Sequence, residues 1–155
     1  MQFKDIVGQR DIANRLTSVI DSGRVSHAQM LLGEVSEAMP LVWSYLQYLC
    51  CEHREHYIDL RNGLRADSCG ECPSCKKIAS LLHPDLHFVF PTSTTSRVKE
   101  KPWSGEFLGE FLDFMLQSSG RGNIDDWYGA LGIENKQGLI REMDADEAIS
   151  ADRKS

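Results

Sequence analysis

Ala28-Gln29-Met30-Leu31-Leu32-Gly33-Glu34-Val35-Ser36-Glu37-Ala38-Met39-Pro40 is the stretch on which the fold turns. A short apolar run ends at a glycine, passes through a polar loop and enters apolar residues at helical spacing. Residues 28–32 read as a strand buried on both faces, as in a parallel sheet. Leu41, Val42, Tyr45, Leu46 and Leu49 read as the inward face of the following helix, with Pro40 confined to its first turn. Upstream, Ile12, Leu16, Val19 and Ile20 mark a helix over residues 10–22 that Gly23 stops, and Phe3, Ile6 and Val7 form an apolar lead-in. Downstream, Pro73 suits the first position of a third helix, whose Ile78, Leu81 and Leu82 share one face as far as His83-Pro84. Leu86-His87-Phe88-Val89-Phe90 then reads as a second buried strand. Strand, helix, helix, strand is a βαβ-like order, which predicts an α/β protein with helices packed on a parallel sheet.

A strand, a glycine, a loop and a helix are also the frame of a phosphate-binding loop, Gly-x-x-x-x-Gly-Lys-Ser/Thr. Counted from Gly33 the spacing fits, but three of the defining residues are replaced. Ala38 stands where a glycine lets the backbone approach phosphate, Met39 removes the ammonium, and Pro40 removes both a hydroxyl and a backbone donor. Glu34 and Glu37 add negative charge where a polyanion would enter. No ATP binding is expected at Gly33, Ala38, Met39 and Pro40.

Five cysteines fall at Cys50, Cys51, Cys69, Cys72 and Cys75. The opening Met-Gln-Phe-Lys-Asp carries no apolar signal segment, so a disulfide framework is not expected and the thiols are read as reduced. Cys69-Gly70-Glu71-Cys72-Pro73-Ser74-Cys75 contains two overlapping Cys-x-x-Cys units, which bring three sulfurs to one turn and the start of a helix. Zinc asks for four soft ligands in a tetrahedron. Cys51, at the end of the preceding helix, is the choice for the fourth, because Cys50 points about 100° away around that helix; Cys50, His53, His56 and His83 remain alternatives. Four thiolates leave no position for water or substrate, so such a site is structural. A catalytic dithiol at Cys69-x-x-Cys72 is the competing reading, in which Cys75 and Cys51 have no task. Free buried thiols are a third, but three at this spacing in a polar loop make poor core material.

At 155 residues, 41% hydrophobic and 26% charged, the chain has the composition of one globular domain rather than a disordered segment. No run approaches the ~20 apolar residues that span a bilayer. A cytoplasmic protein without membrane contact is expected. The formal charge of −6 has the wrong sign for a face that grips phosphate backbones, and four thiolates around a dication would add two more negative charges. Lys76-Lys77 and Arg97, Lys99 and Lys101 read as solvated clusters. Residues 92–101 form a loop; Phe107, Leu108, Phe111, Leu112 and Met115 mark a helix ending near Gly120. Asn123 caps a short helix holding Ile124, Trp127, Tyr128 and Leu131, stopped by Gly132. Asp144-x-x-Glu147 is a capping-box start to another helix.

Taken together, Phe3-Lys4-Asp5-Ile6-Val7-Gly8-Gln9, Arg24-Val25-Ser26-His27-Ala28, the Cys69 to Cys75 module and His83-Pro84-Asp85-Leu86 resemble, in this order over about residues 1–91, the N-terminal region of bacterial DNA polymerase III clamp-loader subunits, the gamma/tau and delta-prime family. The resemblance implies a P-loop NTPase-like (AAA+) fold with a zinc module inserted before the second strand, its ligands falling on Cys51, Cys69, Cys72 and Cys75. In that family the motor subunits keep an intact phosphate loop and delta-prime commonly has a degenerate one. The lost loop therefore implies a non-catalytic, delta-prime-like subunit. Such a subunit helps load the ring-shaped sliding clamp beside gamma/tau and delta, and meets DNA only indirectly. The implied organisation is an N-terminal half-domain at residues 1–91 with the zinc module at 51–75, a mostly helical insertion at 92–143 found in some members, and at 144–155 the start of a helix of a truncated domain. The interval from Cys51 to Cys69 is longer than the family's usual loop. The rival functions are a cytosolic zinc-binding or thiol redox adaptor unrelated to replication, and an ATPase with an unorthodox phosphate site.

Overall fold

The computed structural model describes residues 1–56 and 63–133. In chain order these form a 3-10 turn (Phe3–Asp5), α1 (Arg10–Asp21), α2 (Val35–Cys50), the strands β1 (Glu55–His56) and β2 (Ala66–Asp67), α3 (Pro73–Ala79), a second 3-10 turn (Ser104–Phe107), α4 (Leu108–Ser118) and α5 (Ile124–Ala130). The expected helix at Asp144, with residues 134–143 before it, lies outside the described residues.

Helix α2 is the centre because three of its faces are buried. Leu41, Tyr45 and Tyr48, at i, i+4 and i+7, join Phe3, Ile6, Ala13, Ile20, Leu64 and Ala66 in one core. On the opposite side Trp43, with Met39, Leu46 and Cys50 around it, joins Ile78, Leu81, Phe90, Phe107, Phe111, Met115 and Trp127 in a second. Ser44, Gln47 and the capping Cys51 form a third buried stripe between them. Each large side chain so buried contributes about 1.5–3 kcal/mol.

The helix starts earlier than expected: the Glu34 carbonyl accepts from Glu37 and Ala38 at 3.0 and 2.8 Å, which puts Pro40 in the second turn rather than the first. Proline there leaves the Ser36 carbonyl without its helical donor. Its ring is fully buried, and that burial offsets the loss. Helix α1 buries Ala13, Thr17 and Ile20 and leaves Ile12 largely exposed. It ends where Gly23 takes a left-handed φ of 68° and the Arg24 amide reaches back to the Val19 carbonyl.

Neither expected strand forms, so the parallel sheet is absent among the described residues. Their one sheet is the antiparallel β1–β2 ladder, pairing Glu55 with Asp67 and His56 with Ala66. Residues 28–32 make no ladder, and Met30 and Leu32 are 81% and 88% exposed rather than buried. In residues 86–90 the alternation survives without the sheet. Leu86, Phe88 and Phe90 turn toward the second core while His87 and Val89 face outward. The Ser104 hydroxyl substitutes for a neighbouring strand, accepting from the Phe90 amide and donating to the Phe90 carbonyl, both at 3.1 Å. Phe90 stacks on Phe111 with centroids 3.8 Å apart and meets Trp127 edge-on. Helices thus cover the face that a sheet neighbour would have taken. Helix α3 also stops short of His83: Leu81 adopts φ 59°, the Leu82 amide bonds the Lys77 carbonyl, and Leu82 is turned to solvent.

Asn123 caps α5 in both directions, its side chain accepting from the Asp126 amide and the Asp126 carboxylate accepting from its own amide, each at 2.9 Å.

The first core is tied to the end of α2 by Tyr48, whose hydroxyl is 2.8 and 2.9 Å from the two oxygens of Asp21. Burial, followed by that hydrogen bond, raises the Tyr48 phenol well above its ordinary 10. The folded state therefore keeps a proton that the unfolded chain releases near pH 10. The stabilisation is complete below pH 10 and is lost as pH rises beyond it. Tyr48→Phe should cost about 1 kcal/mol at pH 8, and the wild-type advantage should shrink above pH 10. Urea midpoints of both proteins at pH 8 and 11 measure this; an advantage that does not shrink refutes it.

Candidate metal centre

Each cysteine is placed by a different local device. Cys51 is the C-cap of α2 and continues the Ser44–Gln47 stripe. Cys69 follows Asp67 and Ser68, which are pinned from two sides. The Asp67 carboxylate, 1% exposed, accepts from the amides of Phe3, Lys4 and Ser68 at 3.1, 2.9 and 2.8 Å. Burial holds this carboxyl above the usual carboxylate range against those donors. The Gln2 amide donates to the Ser68 carbonyl, Gln47 Nε2 donates to the Ser68 hydroxyl at 3.0 Å, and the Met1 amine donates to Gln47 Oε1 at 2.8 Å. Gly70 then turns the chain at φ 74°, where a Cβ would meet Gln2 Oε1 at 2.9 Å. The left-handed φ favours glycine, and a Cβ there would displace the Gln2 side chain that holds Ser68. Cys72 caps α3, Pro73 takes its first position and Cys75 lies in its first turn.

These devices bring the sulfurs of Cys51, Cys69, Cys72 and Cys75 within 4.8 Å of one another. Cys51 and Cys69 are 3.6 Å apart and Cys69 and Cys75 3.9 Å. A tetrahedron with metal–sulfur bonds of ~2.3 Å has sulfur–sulfur edges of about 3.8 Å, so the separations fit a single ion. Amides point at the sulfurs: Cys69 N at Cys51 Sγ (3.3 Å), Cys72 N at Cys69 Sγ (3.4 Å) and Cys75 N at Cys72 Sγ (3.4 Å). Such donors stabilise thiolate charge. Burial pushes the thiols of Cys51 and Cys75 up. At Cys72 burial works in the same direction but is outweighed, first by amide donation from Glu52 and then from Cys75, which brings the thiol to about 7. The four cysteines can hold a metal ion, and all four positions of a tetrahedron are then taken.

The alternative ligands do not join them. Cys50 packs against the second core; His53 is exposed; His56 Nδ1 faces Asp21 at 3.7 Å and His83 Nδ1 faces Asp85 at 3.9 Å. The Cys72–Cys75 pair, rather than Cys69–Cys72, occupies the helix start.

The residues of the altered phosphate motif are an ordinary helix entry. Gly33 and Glu34 are exposed, Ala38 and Met39 half-buried and Pro40 buried. Ala38 and Met39 line an open groove of about 470 Å³ with Val25, His27, Leu31 and Leu46, and neither lysine nor arginine is among its lining residues.

Asp67, Gln47 and Gln2, which hold the Cys69 segment, escaped the sequence reading. They show no periodicity, and their partners lie up to 66 residues away. A carboxylate two residues before a Cys-x-x-Cys unit was the one local signal.

The fold and cluster define a helical domain whose central helix carries a module with four clustered cysteines. The chain belongs to the clamp-loader family described as "DNA polymerase III, delta subunit", which matches residues 8–124. It is 27% identical over 116 residues, 75% of its length, to a protein of Buchnera aphidicola subsp. Acyrthosiphon pisum (strain APS) named "DNA polymerase III subunit gamma". It spans 28% of that relative's length. No solved structure matches the chain. No helix among the described residues is long and apolar enough to cross a membrane.

Proposed function

We propose that the chain acts in DNA replication as a delta-prime-like, non-hydrolysing part of the clamp loader, with a structural zinc held by Cys51, Cys69, Cys72 and Cys75. The observation that carries the reading is the conjunction, in one family member, of a four-sulfur cluster with a helix entry that offers phosphate no lysine and no hydroxyl at Ala38, Met39 and Pro40. When bound, zinc supplies a cross-link between thiolates and no open coordination position. The chain's own residues do the rest. Asp67 and Gln47 hold the Cys69 segment on the flank of α2, and the amides of Cys69, Cys72 and Cys75 share the thiolate charge. The organisation that goes with this reading is an N-terminal half-domain at residues 1–91 with its module at 51–75, followed by an addition from residue 92. The neighbours are gamma/tau and delta, in the cytoplasm, and DNA is reached through the assembly.

Metal analysis and calorimetry test both halves of this reading. About one zinc per chain and no heat of binding from magnesium ATP at millimolar concentration are expected. Tight magnesium-dependent ATP binding would overturn the non-hydrolysing assignment, and a well-folded metal-free chain the zinc. A thiol redox adaptor is the second reading, favoured by the Cys72–Cys75 pair at the start of α3; it predicts reversible oxidation in a chain that never carries metal.

A further inference from the structure

We infer that Cys69 is an oxidative modification site through which the module exchanges its metal for a disulfide between Cys51 and Cys69. The inference rests on the zinc reading and adds a second covalent state to the same four residues. Within the cluster, access selects the sulfur that reacts first: Cys51, Cys72 and Cys75 are buried and Cys69 is partly open to solvent, as is Cys50 outside the cluster. A small peroxide reaches it where a protein oxidant would not. Geometry selects the sulfur that resolves it, since Cys51 lies at 3.6 Å, closer than Cys75, and already accepts the Cys69 amide. Cys75, at 3.9 Å, is wholly buried and held in the first turn of α3.

The chemistry balances with hydrogen peroxide as the oxidant. The Cys69 thiolate attacks one peroxide oxygen, the O–O bond breaks, and a sulfenic acid forms as hydroxide leaves and is protonated to water. The Cys51 thiolate then attacks the Cys69 sulfur, the S–O bond breaks, the S–S bond forms, and the departing hydroxide takes a proton from solvent to become a second water. Two thiolates have given two electrons, and peroxide has been reduced to water. Cys72 and Cys75 remain, and two ligands cannot keep an ion for which four competed.

The disulfide would close the same span that the metal closes, 18 residues from the end of α2 to the start of the module. One staple therefore replaces another, and the module stays on α2 after the metal has gone. Cys50 takes no part, because its side chain packs against the second core rather than facing the cluster.

The test uses the zinc-loaded chain and its Cys50→Ser variant, with metal content measured before oxidation. Hydrogen peroxide is added while a colorimetric chelator reads free zinc. Samples are alkylated, digested with trypsin and a glutamate-specific protease so that Glu71 separates Cys69 from Cys72, and mapped without reduction. One zinc released per disulfide, with the bridge joining the Cys51 and Cys69 peptides in both proteins, is the expected result. A bridge at any other pair, release accompanied only by sulfinic or sulfonic acids, or zinc retained under excess peroxide would overturn the inference. A chain without zinc at the start fails the zinc reading alone, and the peptide map still decides the Cys51–Cys69 pairing.

Discussion

Replacing Cys75 by serine should abolish stoichiometric zinc binding and lower the thermal midpoint of the chain by roughly 6–20 °C. Cys75 is the fully buried member of the cluster, below the carbonyl of Gln47 and in the first turn of α3. A serine oxygen there is a poor zinc ligand and a buried hydroxyl. Structural zinc in small modules is bound with apparent energies of about 10–16 kcal/mol, and that energy is folding energy because the unfolded chain has no preformed site. Part is offset by the packing of α3 on α2, which needs no metal, so a net loss of about 3–5 kcal/mol is the expectation. At ~2–4 °C per kcal/mol for a chain of this size, the midpoint falls by the amount stated. A strong chelator should bring the wild type to the same midpoint and leave the variant unchanged. Calorimetric scans with and without chelator, beside metal analysis, measure this. A variant that melts with the wild type, or a wild type indifferent to metal removal, would sink the assignment of the cluster as the module's fastening.

The cluster was legible because its signal is local. Cys69, Cys72 and Cys75 sit within seven residues, and Gly70 and Pro73 mark the turn and the helix start that aim them. Cys51 required a step beyond spacing, the angular argument that separates it from Cys50, and the structure puts Cys51 with the other sulfurs and Cys50 in the second core. The helix ends at Gly23 and Asn123 were legible for the same reason, since a left-handed glycine and a side-chain cap are chosen by neighbours in sequence. Each is a contest settled within one turn of chain.

The strands were not legible because a strand is defined by what lies beside it. Residues 28–32 and 86–90 have the apolar runs that buried strands show, yet composition cannot tell a paired strand from an extended segment lying on helices. At Phe90 the deciding partners are Ser104, Phe111 and Trp127, and no local rule announces that a serine hydroxyl will take both backbone groups. The three-faced burial of α2 was half visible. The stripe through Leu41 and Tyr45 follows the helical period, but Trp43, Ser44 and Gln47 fall off it. They are buried because α3 and the segment beyond it return to that side of the helix.

Truncating Trp43 to alanine should therefore cost as much as any single apolar change in the chain, about 3–5 kcal/mol, or roughly 10 °C in thermal midpoint. Trp43 joins elements far apart in sequence: its indole N–H donates to the Ile78 carbonyl at 2.9 Å, and it belongs to the second core with Ile78, Leu81, Phe107 and Met115. A Cβ on Gly120, just past the end of α4, would come within 3.4 Å of Trp43 Cε3, so that turn packs against the ring as well. An alanine opens a cavity bounded by two helices and a tight turn, none of which can collapse without moving the others. The Ile78 carbonyl keeps the Leu81 amide as a donor at 3.0 Å, so the loss comes mainly from packing. Trp43→Phe tests that division: it retains most of the apolar area, gives up the indole hydrogen bond, and should cost only about 1–2 kcal/mol. Zinc stoichiometry should be unchanged in both variants, because Ser44, Gln47 and Cys51 lie on a different stripe of α2 from Trp43. Urea denaturation followed by circular dichroism, with metal analysis of each variant, measures all three quantities. A loss below about 1 kcal/mol for Trp43→Ala would show that the second core does not depend on α2, and that the helix is central to one core only.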